Sequence, residues 1–167
     1  MRLLILGVNG LVGSTLTATA LADGHDVVGT YHTAPPGFGI RTERLALENW
    51  EESRFELGTF DAVVNCAAMT DVDGCERDSE RALAVNGRAP GMIAETCSRA
   101  DTQFVQLSTD YVFDGSASTP YTEQAETNPR QIYGESKLEG EIRVRSANSD
   151  ALVLRLSFVY GRHGETG

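Results

Sequence analysis

RLLILGVNGLVG, residues 2–13, is the stretch whose reading decides the fold. RLLILGV (2–8) has the length and apolar content of a buried strand. Gly7, Gly10 and Gly13 follow at GxxGxxG spacing and lead into LVGSTLTATALADG (11–24). There Leu11, Leu16 and Leu21 among alanines predict a helix that stops at Gly24. A glycine loop between a strand and a helix is the context that gives such spacing meaning. The glycines allow a tight turn and close approach of the backbone to a pyrophosphate, and the helix N-terminus offers free N–H groups and a positive dipole end. An acidic chain could hold an anionic dinucleotide there. A glycine turn that only packs helix on strand is the competing reading.

Outward from this loop, strand and helix signals alternate. DVVGTY (26–31) is a second strand, residues 33–41 a loop with Pro35 and Pro36, and ERLALE (43–48) a weak third strand. Residues 49–58 read as helical, with Trp50 and Phe55 as packing residues, and DAVVNCAA (61–68) is a fourth strand. Residues 79–100 carry a helical apolar period that Gly87 and Pro90 are expected to kink or break. A fifth strand (102–113), a long loop (114–129), a helix (131–147) and a sixth strand (151–161) complete the chain. Such alternation predicts βαβ units: an α/β fold with a doubly wound parallel sheet.

Twenty-four acidic residues against fourteen basic ones give a net charge of −10, which argues against nucleic acid and against an acidic membrane surface. No run approaches the ~20 apolar residues of a membrane span. A cytoplasmic, soluble protein is expected, and scarce lysine with abundant acid suits a salt-rich cytoplasm. Cys66, Cys75 and Cys97 lack CxxC spacing and read as buried free thiols; Cys66 is expected to be a small core residue, not a nucleophile. His25, His32 and His163 show no metal spacing, and Asp71, Asp73 and Glu76 read as a turn and helix start, so no metal site is expected.

YGESK (133–137) puts Tyr133 and Lys137 on one face of the predicted helix, and Lys137 is the one lysine of the chain. A tyrosine is a poor acid or base at neutral pH unless a nearby cation favours the phenolate. Lys137 can do that and also reach a nicotinamide ribose. Thr109, at the end of the fifth strand, could hold a substrate carbonyl that takes a hydride on carbon and a proton from Tyr133 on oxygen. At the end of the second strand, Gly29-Thr30-Tyr31-His32-Thr33 lacks the acid usual in NAD sites. That favours NADP(H), with NAD(H) also accepted, although no arginine is read beside this strand end.

GVNGLVG, VVNCAAMTDVDGCE, AVN, STDYVFDG, PYTE, YGESKLEGE and RLSFVYG, in this order, resemble the extended short-chain dehydrogenase/reductases, and more narrowly the dTDP-4-dehydrorhamnose reductase family. The resemblance implies a Rossmann-type domain over residues 1–167, with a C-terminal substrate domain absent from this chain. It implies NAD(P)H-dependent reduction of the 4-keto group of a dTDP-4-keto-6-deoxyhexose, in dTDP-rhamnose biosynthesis. Thr109, Tyr133 and Lys137 match the family's catalytic triad. Gly7, Gly10, Leu11, Val12 and Gly13 match its phosphate loop, and Ala67, Ala68 and Met69 the segment along the cofactor. Tyr31 and His32 fall at the adenosine end of that site. Asp110 matches a substrate-side contact, Phe158 the aromatic near the sugar, and Asn86 the helix asparagine tied to a proton relay. The acid expected near the adenine is Ala46 here.

The implied partner is a nucleotide-sugar substrate, and a homodimer is open. Two alternatives stand beside the reductase: an NADP-binding regulatory subunit, similar to that of methionine adenosyltransferase, and a sugar-nucleotide epimerase or dehydratase.

Overall fold

The structure is a computed structural model that describes residues 1–161. Six strands form one sheet: β1 (Arg2–Leu6), β2 (Asp26–Tyr31), β3 (Arg41–Arg44), β4 (Ala62–Asn65), β5 (Gln103–Thr109) and β6 (Leu152–Leu156). Every pairing is parallel and the order is β3-β2-β1-β4-β5-β6. The order reverses between β1 and β4, which is the switch point where such sheets open a crevice at their carboxyl ends.

β1 is central because both its faces are covered. Leu4 and Leu6 join a large core with Val63, Phe104, Ile93 and Val144, while Leu3 and Ile5 pack with Val27 and Ala20 on the other face. A strand buried on both sides needs a continuous apolar run rather than alternation. The first core is covered by α4 (Ala89–Arg99) and α5 (Ile132–Ala147), the second by α1 (Leu11–Ala22). Two short helices, α2 (Val72–Arg77) and α3 (Ser79–Ala82), precede α4. On β6, Leu152 and Leu154 are 50% and 38% exposed.

Three local expectations are corrected. The third strand is Arg41–Arg44, not 43–48; it lies at the sheet edge, where a polar RTER strand is tolerated. Residues 49–58 form no α-helix: two 3₁₀ turns, Leu47–Glu52 and Leu57–Thr59, take their place, and Asn49 leaves helical geometry at φ −109°, ψ 32°. Trp50 is buried there and donates to Thr96. Residues 79–99 do not break at Gly87 or Pro90. They run through a π-helical turn, Leu83–Arg88, straight into α4. Pro90 has no N–H for the Asn86 carbonyl, and a widened turn absorbs that missing bond.

Among the described residues, no helix is long and apolar enough to cross a membrane, and no three His, Cys, Asp or Glu side chains gather as a metal site. His163 lies outside them.

Candidate active site

Gly7 leaves β1 with φ +82°, and a Cβ there would lie 2.9 Å from the Ala67 Cα. Only glycine lets this turn approach the end of β4 so closely. A Cβ on Gly13 would overlap the Gly7 carbonyl, so the third glycine lets α1 pack on the turn. Gly10 is the α1 N-cap; it offers no side-chain cap, and the first turn holds no acid. The leading N–H groups of Leu11, Val12 and Gly13 therefore face the crevice end without an intrahelical acceptor. This is an anion cradle, and it fits a dinucleotide pyrophosphate.

Beside it lies a cleft of about 180 Å³, bounded by Gly7, Tyr31 and His32 on one side and Ala67, Ala68 and Met69 on the other. Glu48 and Arg81 also line it and pair at 3.3 Å. Glu48 is an acid that the sequence reading passed over; Ala46, where an acid was expected, falls after β3 as the N-cap of a 3₁₀ turn. The expectation that no arginine stands beside the end of β2 is overturned. Register pairs Tyr31 with Arg44, and the Arg44 Nε donates to the His32 carbonyl at 3.0 Å. The missed signal was the strand boundary: starting β3 at residue 43 hid which of its residues reach the end of β2.

Asn86 holds the far wall. It is buried in the π turn, accepts from the Met69 N–H (2.9 Å), and donates to the Met69 carbonyl (2.9 Å) and the Ser136 hydroxyl (3.1 Å). Both hydrogen-bonding groups of Met69 are thereby fixed, and α5 is tied to the same side chain. Glu76 accepts from the Ile132 N–H at 2.8 Å, so one of the acids before α5 caps that helix.

Thr109 ends β5. Its hydroxyl accepts from the Tyr111 N–H (3.2 Å) and donates to Asp110 (3.3 Å). Tyr133, at the start of α5, packs edge-on against Tyr111 with ring centres 5.5 Å apart. Burial raises the Tyr133 phenol above its ordinary value; the Thr109 hydroxyl beside it pulls the other way, though no hydrogen bond of normal geometry joins them. Lys137, one turn on, is 4% exposed and donates to the Leu107 carbonyl at 2.6 Å. Burial pulls its ammonium down to about 8, against the Glu141 carboxylate, which favours the charged form. The expected lowering of Tyr133 by Lys137 is not found. Desolvation dominates that phenol, and the ammonium is turned to Leu107.

Burial also pushes the Cys66 thiol up to about 12, more than the Lys137 charge pulls it down, so Cys66 is a neutral thiol and not a nucleophile. Phe158 is 88% exposed and lies outside the cleft wall.

Strand order and glycine turn define the class of the molecule, a doubly wound domain of Rossmann type. The chain belongs to the RmlD substrate binding domain family, which matches residues 1–166. It is 48% identical over 168 residues to a probable low-salt glycan biosynthesis reductase of Haloferax volcanii, covering 99% of this chain and 56% of that protein. A hypothetical dTDP-4-dehydrorhamnose reductase from Sulfolobus tokodaii superposes with a TM-score of 0.86 at 34% identity, over 98% of this chain and 58% of that one. The dTDP-4-dehydrorhamnose reductase of Bacillus anthracis, solved in complex with NADP, gives a TM-score of 0.83 at 26% identity, over 98% and 56%. The chain thus spans a little over half the length of these proteins.

Proposed function

We propose that residues 1–167 are the cofactor domain of an NAD(P)H-dependent reductase of the 4-keto group of a dTDP-4-keto-6-deoxyhexose, acting in nucleotide-sugar biosynthesis. The observation that carries this reading is the half-buried Tyr133 at the start of α5, beside the Thr109 hydroxyl at the carboxyl end of β5, the same end of the parallel sheet at which the glycine cradle leaves β1. A reduction needs a proton donor, and a phenol placed beside the hydroxyl that holds the carbonyl oxygen is in position to be that donor. The relatives named as reductases and the NADP complex of the Bacillus anthracis protein support the same reading.

In this assignment Leu11, Val12 and Gly13 hold the pyrophosphate by their N–H groups, and Ala67 to Met69 line the cofactor's path. A nicotinamide held there would supply the hydride for the carbonyl carbon. Thr109 holds the carbonyl oxygen, Tyr133 gives it a proton, and Lys137 anchors the ribose. Asp110 and the exposed Phe158 face the sugar side. β2 ends without an acid of its own to repel a 2′-phosphate, the Glu48 carboxylate in the cleft is paired with Arg81, and Arg44 stands beside the end of β2, so NADPH is preferred over NADH.

The test is Tyr133→Phe in the full-length protein, with NADPH oxidation followed in the presence of dTDP-4-keto-6-deoxyglucose-type substrate. NADPH binding should persist while turnover falls about 100-fold or more. Near-normal turnover removes Tyr133 from the chemistry.

A further inference from the structure

Glu141 is 2% exposed, and a carboxylate so deeply placed needs partners for both oxygens. It has them. Oε1 accepts from the Ser108 hydroxyl (2.6 Å) and from the Arg155 Nε (2.9 Å), and Oε2 accepts from the Arg155 Nη2 (2.6 Å). The two strand residues sit opposite each other, because β5 and β6 pair with Ser108 against Arg155. The carboxylate therefore joins α5, β5 and β6 at one point.

Its position along α5 gives the cluster a second meaning. Lys137 and Glu141 are one turn apart, and they grip consecutive residues of β5: Lys137 holds the Leu107 carbonyl, Glu141 the Ser108 hydroxyl. The next residue is Thr109. The end of β5 is thus stapled to the same helix face that presents Tyr133. From the other side, the Arg155 guanidinium lies 5.0 Å from the Phe113 ring centre and reaches the Glu123 carbonyl at 3.4 Å. Phe113 stacks on Tyr121, whose hydroxyl donates to Asp114. The loop after β5 is held by the same arginine.

Resting on the reductase reading above, we propose that Glu141 is a positioning residue: with Ser108 and Arg155 it fixes Thr109 against the Tyr133–Lys137 face of α5, and its buried carboxylate, one helical turn from the buried Lys137, is the counter-charge on that face. The groups facing Lys137 are few. Glu141 and Tyr133 lie on its own helix, Cys66 follows β4 as a neutral thiol, and Arg155 and Arg145 reach Glu141 from β6 and the next turn of α5. Glu141 is the one carboxylate that raises Lys137.

Reading at the level of one peptide makes the electrostatic half measurable without cofactor or substrate. An amine-acylating reagent applied to the full-length protein across pH, read at the peptide that contains Lys137, gives the pH midpoint of its reactivity. Glu141→Gln should move that midpoint down from the wild-type value by about one pH unit. It should also lower turnover about tenfold or more at an unchanged fold, because the grip on β5 is loosened. Ser108→Ala leaves every charge in place; its midpoint should stay put while its turnover falls several-fold. A Glu141→Gln midpoint that does not move overturns the proposal, as does unchanged turnover in Ser108→Ala. Should Glu141→Gln fail to fold, the turnover of Ser108→Ala decides. Loss of the reductase reading would show separately, as a wild-type protein that oxidises no NADPH while its Lys137 midpoint still responds to Glu141→Gln.

Discussion

The backbone of Gly134 lies directly against the carbonyl oxygen of Tyr111, so close that a Cβ at residue 134 would overlap it. This contact brings the first turn of α5 onto the turn that follows Thr109, and it is why Tyr133 can stand beside the Thr109 hydroxyl. Gly134→Ala must push α5 away. The expected cost is about 1–3 kcal/mol of stability. Turnover should fall more than NADPH affinity does, because the displaced element carries the proton donor. Thermal unfolding, kcat and NADPH titration measured together check this.

Arg44 carries the preference for a 2′-phosphate in the proposed site. Arg44→Ala removes a guanidinium whose Nε is held by the His32 carbonyl and which forms no ion pair among the described residues. NADPH binding should weaken about tenfold or more, as for loss of a charge-assisted hydrogen bond. NADH binding should hardly change. Equal losses for both cofactors would place Arg44 in the scaffold instead.

Lys137 makes stability depend on pH in the alkaline range. Its folded value, about 8, lies below the 10.5 of an ordinary lysine. Between these two values the unfolded chain binds a proton that the folded chain does not, so the stabilising trend runs upward with pH. Below about 8 both states are charged and the burial penalty is fully present. Measured by denaturant unfolding from pH 7.5 to 10.5, the stability of the wild type minus that of Lys137→Met should rise with pH; the difference cancels the opposite trend of the Cys66 and Cys97 thiols, which burial raises to about 12 in both proteins.

Asn86→Ala should be costly. It leaves the half-buried Met69 N–H without its partner and the Met69 carbonyl with only the weak Cys75 thiol donor at 3.5 Å. One orphaned backbone group costs on the order of 1–3 kcal/mol. The midpoint of urea unfolding reads this directly, and loss of NADPH affinity at temperatures where the variant is folded would show that Met69 lines the cofactor's path.

The fold was legible where burial speaks through composition. RLLILGV, DVVGTY and DAVVNCAA are covered on both faces, so their residues announce strands and their alternation with helices announces parallel pairing. Legibility failed where one local signal was weighed without its tertiary partner. Gly87 and Pro90 look like breakers, yet Gly87 lets the π turn pack against Glu139 on α5, and Gly140 is cut away opposite the Asn86 carbonyl. The polar RTER strand pairs only along one edge, so nothing in its pattern marked its start, and Arg44 was lost with that boundary. At the site, spacing alone puts Tyr133 and Lys137 on one face. Which way the ammonium turns depends on the Leu107 carbonyl and on Glu141, and neither can be read from a spacing.

The central position of β1 has a consequence for how the chain is made. Leu3 pairs with Val27 on one side and with Ala62 on the other. During synthesis at about 5–20 residues per second, the first strand waits on the order of 3–12 s before its second neighbour exists. Through that interval one edge and much of the surface of RLLIL are open to any other strand or to a chaperone. The segment that shapes the glycine cradle is thus also the one most exposed to mispairing on the ribosome. Folding yield in the cell should respond to substitutions in β4 through the fate of β1, long before any cofactor can bind.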